Sequence, residues 1–205
     1  IPLRLVGSEM CIRDRMSPVK MFTRAFDINA AANVVLAQAF LPAMISNNHG
    51  HFMTVASSAS YFSLPNLCAY SMSKTAALAF LESLRAELRA VYKACRVRTS
   101  VVTPTKVRTV LAEGLNEGDD DFLMPVLEPI QVARAMADTL NSGLSRNISL
   151  PLGSALLPYL RALPEWYRGA LRAMGNTDAL VTPDSISRGQ QALRGHQSNL
   201  DHMKK

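Results

Sequence analysis

The chain has 205 residues, 48% of them hydrophobic, and a formal net charge of +6. That is enough apolar material for one domain with a sizeable core. The arginines are spread along the chain, with no compact Lys/Arg block and no interleaved aromatic platform, so the charge does not read as a nucleic-acid surface.

Residues 1–15 read as foreign to the rest. Glu9 to Arg15, EMCIRDR, is what one reading frame of a DNA-library transposase end encodes, and such a scar is set aside in reading a fold. Native sequence is then expected from near Met16, inside a gene. Ser17-Pro18 is a good helix start, a capping hydroxyl followed by proline at the first helical position. Met21 to Ile45 carries apolar residues at helical spacing. Asn47-Asn48-His49-Gly50 is a stop, with glycine beyond the helix end. His51 to Ala56 is a short β-prone run, and a loop follows from Ser57 to Asn66.

Leu67 to Lys93 reads as a long helix, with Ala76, Ala77, Phe80, Leu84 and Leu88 as its apolar stripe. Arg96 to Thr103 is a second strand, ended by Pro104. Leu111 to Pro125 carries Gly114, Gly118 and three consecutive aspartates and reads as a flexible loop. Glu128 to Leu140 is predicted helical, and Ile148 to Leu150 a short strand closed by Pro151. Leu156 to Met174 is an apolar-basic helical stretch broken by Pro158 and Pro164. The polar tail from Thr182 to Lys205 reads as loose.

No apolar run reads as long and charge-free enough to span a bilayer. The start lacks the basic region, apolar stretch and small-residue cleavage site of a secretory signal. Cys11, Cys68 and Cys95 are odd in number and sparse, which argues for free thiols in a reducing compartment.

The order helix–strand–helix–strand–helix–strand implies parallel strands joined by crossover helices, an α/β, doubly wound parallel sheet. Three strands are thin for such a fold. No GxGxxG-type turn follows any strand, so the expected architecture is a partial Rossmann-like sheet lacking the N-terminal glycine-rich βαβ unit. Four segments result: 1–15, the scar; 16–153, the part of the Rossmann domain with the chemistry; 154–181, an amphipathic lid or membrane-surface segment; and 182–205, the tail.

The residues that carry chemistry are Ser57-x12-Tyr70-x3-Lys74. Tyr70 and Lys74 are one helical turn apart on one face. An unperturbed phenol has a pKa of about 10, too high for a base near neutrality, and a nearby ammonium lowers it. Ser57 follows a strand end, where ligands bind in open α/β folds. A bare Tyr-x3-Lys arises by chance; the strand, the serine and the helix start around it give it weight.

With these residues in place, FDINAAANVVLAQAFLPAM, GHFMTVASSASYFSLPNLCAYSMSKTAALAFLESLRAEL and VRTSVVTPTKVRT together resemble the classical short-chain dehydrogenase/reductase family, over roughly Met21 to Pro151. The TVAS strand end and the KVRT segment resemble the branch acting on retinol, steroids and other lipid alcohols. The resemblance implies a catalytic tetrad of Asn29, Ser57, Tyr70 and Lys74, with Ser58 the rival serine. It implies NAD or NADP as cofactor, bound in part by Tyr70, Lys74, Pro104, Val107 and Thr109. In these implied roles Tyr70 exchanges a proton with the substrate oxygen, Ser57 orients that oxygen, and Lys74 lowers the Tyr70 pKa and holds the nicotinamide ribose. Asn29 holds a water on the path from Lys74 to solvent. The family has Pro-Gly where this chain has Pro104-Thr105, and glycine there lets backbone approach closely.

The resemblance further implies an oxidoreductase acting on a small or lipophilic alcohol or ketone, no metal, a homo-oligomer, and a cytoplasmic location at the endoplasmic reticulum or a lipid-droplet surface. The chain as given, without the adenosine-binding unit, is expected to be inactive. Two other readings stay open: an NAD-dependent epimerase or dehydratase, which also uses Tyr-x3-Lys, and a non-catalytic lipid-surface or scaffold protein of the same fold. Ser154 to Met174 mixes Leu, Trp and Tyr with Arg161, Arg168 and Arg172, a composition that suits a membrane boundary or a lid over the cleft.

Overall fold

The structure, a computed structural model, describes residues 18–65, 67–109 and 125–174. It opens with α1 (Pro18–Phe26), a π-turn (Asp27–Ala31) and α2 (Ala32–Ser46), which run on without a break as one helical rod. The rod ends as the sequence predicts, with Asn48 at φ 44° and Gly50 at φ 153° leading into β1 (Gly50–Val55). A 3-10 turn (Ser58–Ser60) precedes α3 (Cys68–Ala90), followed by β2 (Val97–Pro104), α4 (Pro129–Ser142) and β3 (Asn147–Leu150). The chain then makes a second 3-10 turn (Leu152–Leu156), a single turn α5 (Leu157–Leu160) and α6 (Glu165–Met174). The loop expected at 111–125, the tail from 182 and the foreign stretch 1–15 fall almost wholly outside the described residues.

The three strands are parallel in the order β1-β2-β3. Gly50 pairs with Val97 through to Val55 with Val102, and Val101 pairs with Asn147 through to Pro104 with Leu150. Parallel pairing demands a long crossover, and α3 supplies it between β1 and β2. Leu78, Leu81, Leu84 and Leu88 recur along α3 at helical spacing and are all buried. They meet Phe52 of β1, Val97 and Val101 of β2, and Ala37 and Leu41 of α2 in one cluster. Each such leucine contributes roughly 1.5–3 kcal/mol by leaving water. Arg85, on the same helix, reaches Thr99 Oγ1 (2.9 Å) and Asn147 Oδ1 (3.0 Å), tying α3 to the middle and outer strands.

Helix α4 starts on a capping box between Glu128 and Gln131, with Pro129 in the first turn, and ends at Gly143 with φ 63°. Both ends follow from side-chain chemistry that satisfies orphan backbone groups.

One expectation is corrected. Phe22–Ser46 is, by length and composition, apolar enough to cross a membrane. Its only charges are Arg24 and Asp27, and the other polar positions are uncharged. Little of it is buried: Ala25, Ala37 and Leu41 face the core, while Val35 is 63% and Phe40 57% exposed.

Candidate active site

Ser57 follows β1 directly, with extended backbone (φ −161°, ψ 157°). Its Oγ accepts a hydrogen bond from Ala59 N–H at 3.2 Å, so the side chain starts the 3-10 turn that carries the chain away from the sheet. Ser57 is buried, and Ser58, the rival, is only half-buried and supplies its carbonyl to Tyr61 and Phe62. The Ser57 side chain also lies close enough to the Tyr70 phenol to act on its ionisation.

Tyr70 and Lys74 lie in the first two turns of α3. Lys74 Nζ sits 6.0 Å from the centre of the Tyr70 ring, at the outer edge of cation–π range. It donates to Val55 O at 3.0 Å, at the last residue of β1. Burial holds the Lys74 pKa down at about 8, because a desolvated ammonium is disfavoured. The Tyr70 phenol is raised by burial, and the nearby Ser57 side chain only partly offsets this. The sequence expectation was a phenol pulled down by Lys74. In the folded chain desolvation acts on both groups and dominates.

Asn29 lies in the π-turn, a wide turn of the kind that often marks functional sites. Its Nδ2 donates to Ser73 Oγ at 3.0 Å, and Ser73 Oγ donates to Tyr70 O at 2.8 Å. Asn29 therefore faces the helix that carries Tyr70 and Lys74. The four residues are brought together at the carboxyl edge of the parallel strands.

Pro104 ends β2 and is buried. Thr105 N–H bonds Leu150 O at 2.8 Å, and Thr105 is not among the residues of positive φ, so this loop does not demand a glycine. Thr105 Oγ1 is buried without a hydrogen-bond partner among the described residues. A lone buried hydroxyl at a strand's carboxyl end is what an amide or ribose group could satisfy, so the segment fits a nicotinamide cofactor. Val107 bridges Leu127, half-buried, and Thr109 is exposed with its Oγ1 3.4 Å from Val107 O. Val107 and Thr109 thus lie on the loop after β2, beyond the strand ends; neither has a described contact with Tyr70 or Lys74.

The C-terminal stretch is arranged unlike a simple basic amphipathic helix. Trp166 (74%) and Met174 (84%) point outward. Arg172 turns inward, 4.7 Å above the Phe62 ring, on the loop between Ser57 and Tyr70. Arg168 pairs with Glu165. Sequence reasoning missed Ser73 and Asn33, and read Thr105 only as the residue in place of a glycine; the four-residue step from Asn29 to Asn33 was the one readable signal.

These elements define a parallel α/β protein whose serine, tyrosine and lysine converge where such sheets bind ligands. The chain belongs to the short-chain dehydrogenase family, whose profile, described as short chain dehydrogenase, matches residues 7–120. That match begins within the stretch read as foreign. Estradiol 17-beta-dehydrogenase 11 of Homo sapiens is 38% identical over 151 residues, covering 73% of this chain and 48% of that protein. Epidermal retinol dehydrogenase 2 of Mus musculus is 37% identical over 123 residues, 60% of this chain and 39% of that one. The chain spans about half the length of the curated relatives it matches. Among solved structures, a short chain dehydrogenase from Burkholderia cenocepacia in complex with NADP aligns with TM-score 0.60 at 24% identity, over 87% of this chain and 66% of that one. An acetoin dehydrogenase from Salmonella typhimurium aligns with TM-score 0.59 at 16% identity, over 74% and 61%. These two likenesses speak for the fold.

Proposed function

We propose that the protein containing this chain is an NAD- or NADP-dependent oxidoreductase that interconverts a hydroxyl and a carbonyl on a lipophilic substrate of steroid or retinoid type. The observation that carries this is the grouping of buried Ser57, directly after β1, with Tyr70 and Lys74 in the first two turns of α3, where Lys74 Nζ donates to Val55 O at 3.0 Å. The names of the relatives, an estradiol and a retinol dehydrogenase, support the substrate class.

The residues divide the work by chemistry. Tyr70 Oη gives the proton to, or takes it from, the substrate oxygen. Ser57 Oγ, close to the phenol, holds that oxygen beside it. Lys74, with a pKa of about 8, keeps an ammonium within reach of the phenol at physiological pH and would hold the cofactor's ribose. Asn29 fixes the first turns of α3 through Ser73. Pro104, Val107 and Thr109, with Thr105, would form the wall against the nicotinamide. The cofactor, when bound, supplies the hydride acceptor or donor.

Helix α6, held on Phe62, is the lid over the substrate side of the cleft. The exposed apolar faces of α2 and α6 suit a homo-oligomer contact and a lipid surface of the endoplasmic reticulum or a lipid droplet.

The test is to produce the protein from the complete reading frame that contains this chain and incubate it with estradiol or retinol and each cofactor. Formation of the ketone or aldehyde with matching cofactor reduction is expected, and Tyr70→Phe abolishes it. An isomerised product with no net redox change would move the assignment to an epimerase.

A further inference from the structure

Asn33, in the first turn of α2, lies four residues after Asn29 and so on the same helical face. Its Nδ2 donates to the backbone oxygen of Asn29 at 2.8 Å. Its Oδ1 accepts from Thr54 Oγ1 at 3.2 Å. The orientation of the amide is forced, because a carbonyl only accepts while a hydroxyl can donate. Thr54 is 1% exposed and neighbours Val55, whose oxygen takes the Lys74 ammonium at 3.0 Å.

From Asn29 the connection runs on to Ser73 Oγ (3.0 Å) and then to Tyr70 O (2.8 Å). Ser73 is fully buried and precedes Lys74. The hydrogen bonds therefore close a circuit: β1 to α2 at Thr54–Asn33, α2 to the π-turn at Asn33–Asn29, the π-turn to α3 at Asn29–Ser73, and α3 back to β1 at Lys74–Val55. Asn33 is the one member that joins strand and π-turn, and it needs both a donor and an acceptor to do so.

A π-turn loosens the regular ladder of a helix, so the direction of the Asn29 side chain is not set by helix geometry alone. We infer that Asn33 is a positioning residue: by holding the Asn29 backbone oxygen it aims the Asn29 amide at Ser73 and so sets the first two turns of α3, which carry Tyr70 and Lys74. The inference rests on the proposed roles of those two residues.

A purely structural role would be to satisfy the buried Thr54 hydroxyl. The two roles separate chemically. In Asn33→Ala both bonds are lost. In Asn33→Ser the hydroxyl can bond back to the carbonyl four residues earlier, which restores the Asn29 contact and not the Thr54 one.

The experiment is amide exchange of the Asn29 side chain by NMR on the isotope-labelled chain, with Tm read on the same samples and kcat and KM measured on the complete protein. Asn33→Ala is expected to speed Asn29 side-chain exchange about tenfold or more and to lower kcat about tenfold with KM little changed, as lost orientation does. Asn33→Ser restores both. Asn29 exchange unmoved in a folded Asn33→Ala, with only Tm lowered, overturns the inference. Where the alanine variant does not fold, Asn33→Ser decides: a folded serine variant whose Asn29 amide exchanges like an exposed one overturns it too. Should the exchange pattern hold while no variant, wild type included, oxidises an alcohol, the positioning stands and the dehydrogenase reading falls.

Discussion

At the scale of single residues, Lys74 is held against its own charge. Its folded pKa of about 8 lies below the value of an exposed lysine, so between about pH 8 and 10.5 the unfolded chain binds more protons than the folded one. Stability then rises with pH across that window, and the penalty is present in full below it. The shift corresponds to a cost on the order of 3 kcal/mol at neutral pH, from which the bond to Val55 O recovers part. Lys74→Met is therefore expected to end activity and yet raise Tm at pH 7 by about 2–5 °C. It should also flatten the rise of stability above pH 8; calorimetry over a pH series checks both. Tyr70 has the opposite sign. Its raised pKa means the unfolded phenol ionises first, so stability falls as pH climbs past 10. Tyr70→Phe removes that fall. In the complete protein it should lower kcat/KM by about 10²–10⁴-fold, with Tm within about 2 °C of wild type, as a turnover assay and a melt on one preparation show. The spacing Ser57-x12-Tyr70-x3-Lys74 was legible because helix pitch and strand end are local. The directions of the pKa shifts were not, since they depend on desolvation by residues far along the chain.

At the scale of elements, legibility followed punctuation. Ser17-Pro18, the Asn47–Gly50 stop and the proline that ends β2 placed the rod and both main strands to within a residue or two. The π-turn at Asp27–Ala31 carries no such mark: its sequence, DINAA, reads as ordinary helix, and its bond from Asn29 to Ser73 reaches a helix far along the chain. The rod is bilayer-length and apolar despite its two charges, Arg24 and Asp27, and burial of so few of its side chains leaves that character at the surface. Gly50 is the sharpest test at this scale. It combines φ 153° with a position where an added Cβ would meet Met44 Cγ at 2.5 Å and Met44 Cβ at 3.0 Å. Gly50→Ala should cost about 1–3 kcal/mol through backbone strain and the push on Met44. A lower denaturation midpoint with unchanged slope is the expected record. A midpoint equal to wild type would mean the rod end shifts freely, and the tight link from α2 to β1 would be wrong.

At the scale of the whole molecule, the three parallel strands bury one face well and leave apolar surface elsewhere. Phe52, Val97 and Val101 lie under α2 and α3, while Val55, at the end of β1 on the opposite face, is 40% exposed. Along α2, Val34, Val35, Leu36 and Phe40 are all exposed, apolar side chains on a helix with no charged side chain, with Leu36 and Phe40 on one face. Exposed apolar groups of this kind mark contact surfaces, and for a rod packed on α3 a second copy could bury both at once. The chain is therefore expected to self-associate through these side chains, with a mass in sedimentation that rises with concentration. Val35→Glu with Phe40→Glu places charges at exposed positions, so the fold should hold while association weakens by about tenfold or more, as expected when charges enter an apolar contact. Unchanged far-ultraviolet circular dichroism with a shift to monomer supports these side chains as the contact. Association that persists in the double variant would shift attention to the outer edge of β1, which no other described strand pairs, and an edge of that kind can take another strand; Val55→Lys would then be the change that disperses it.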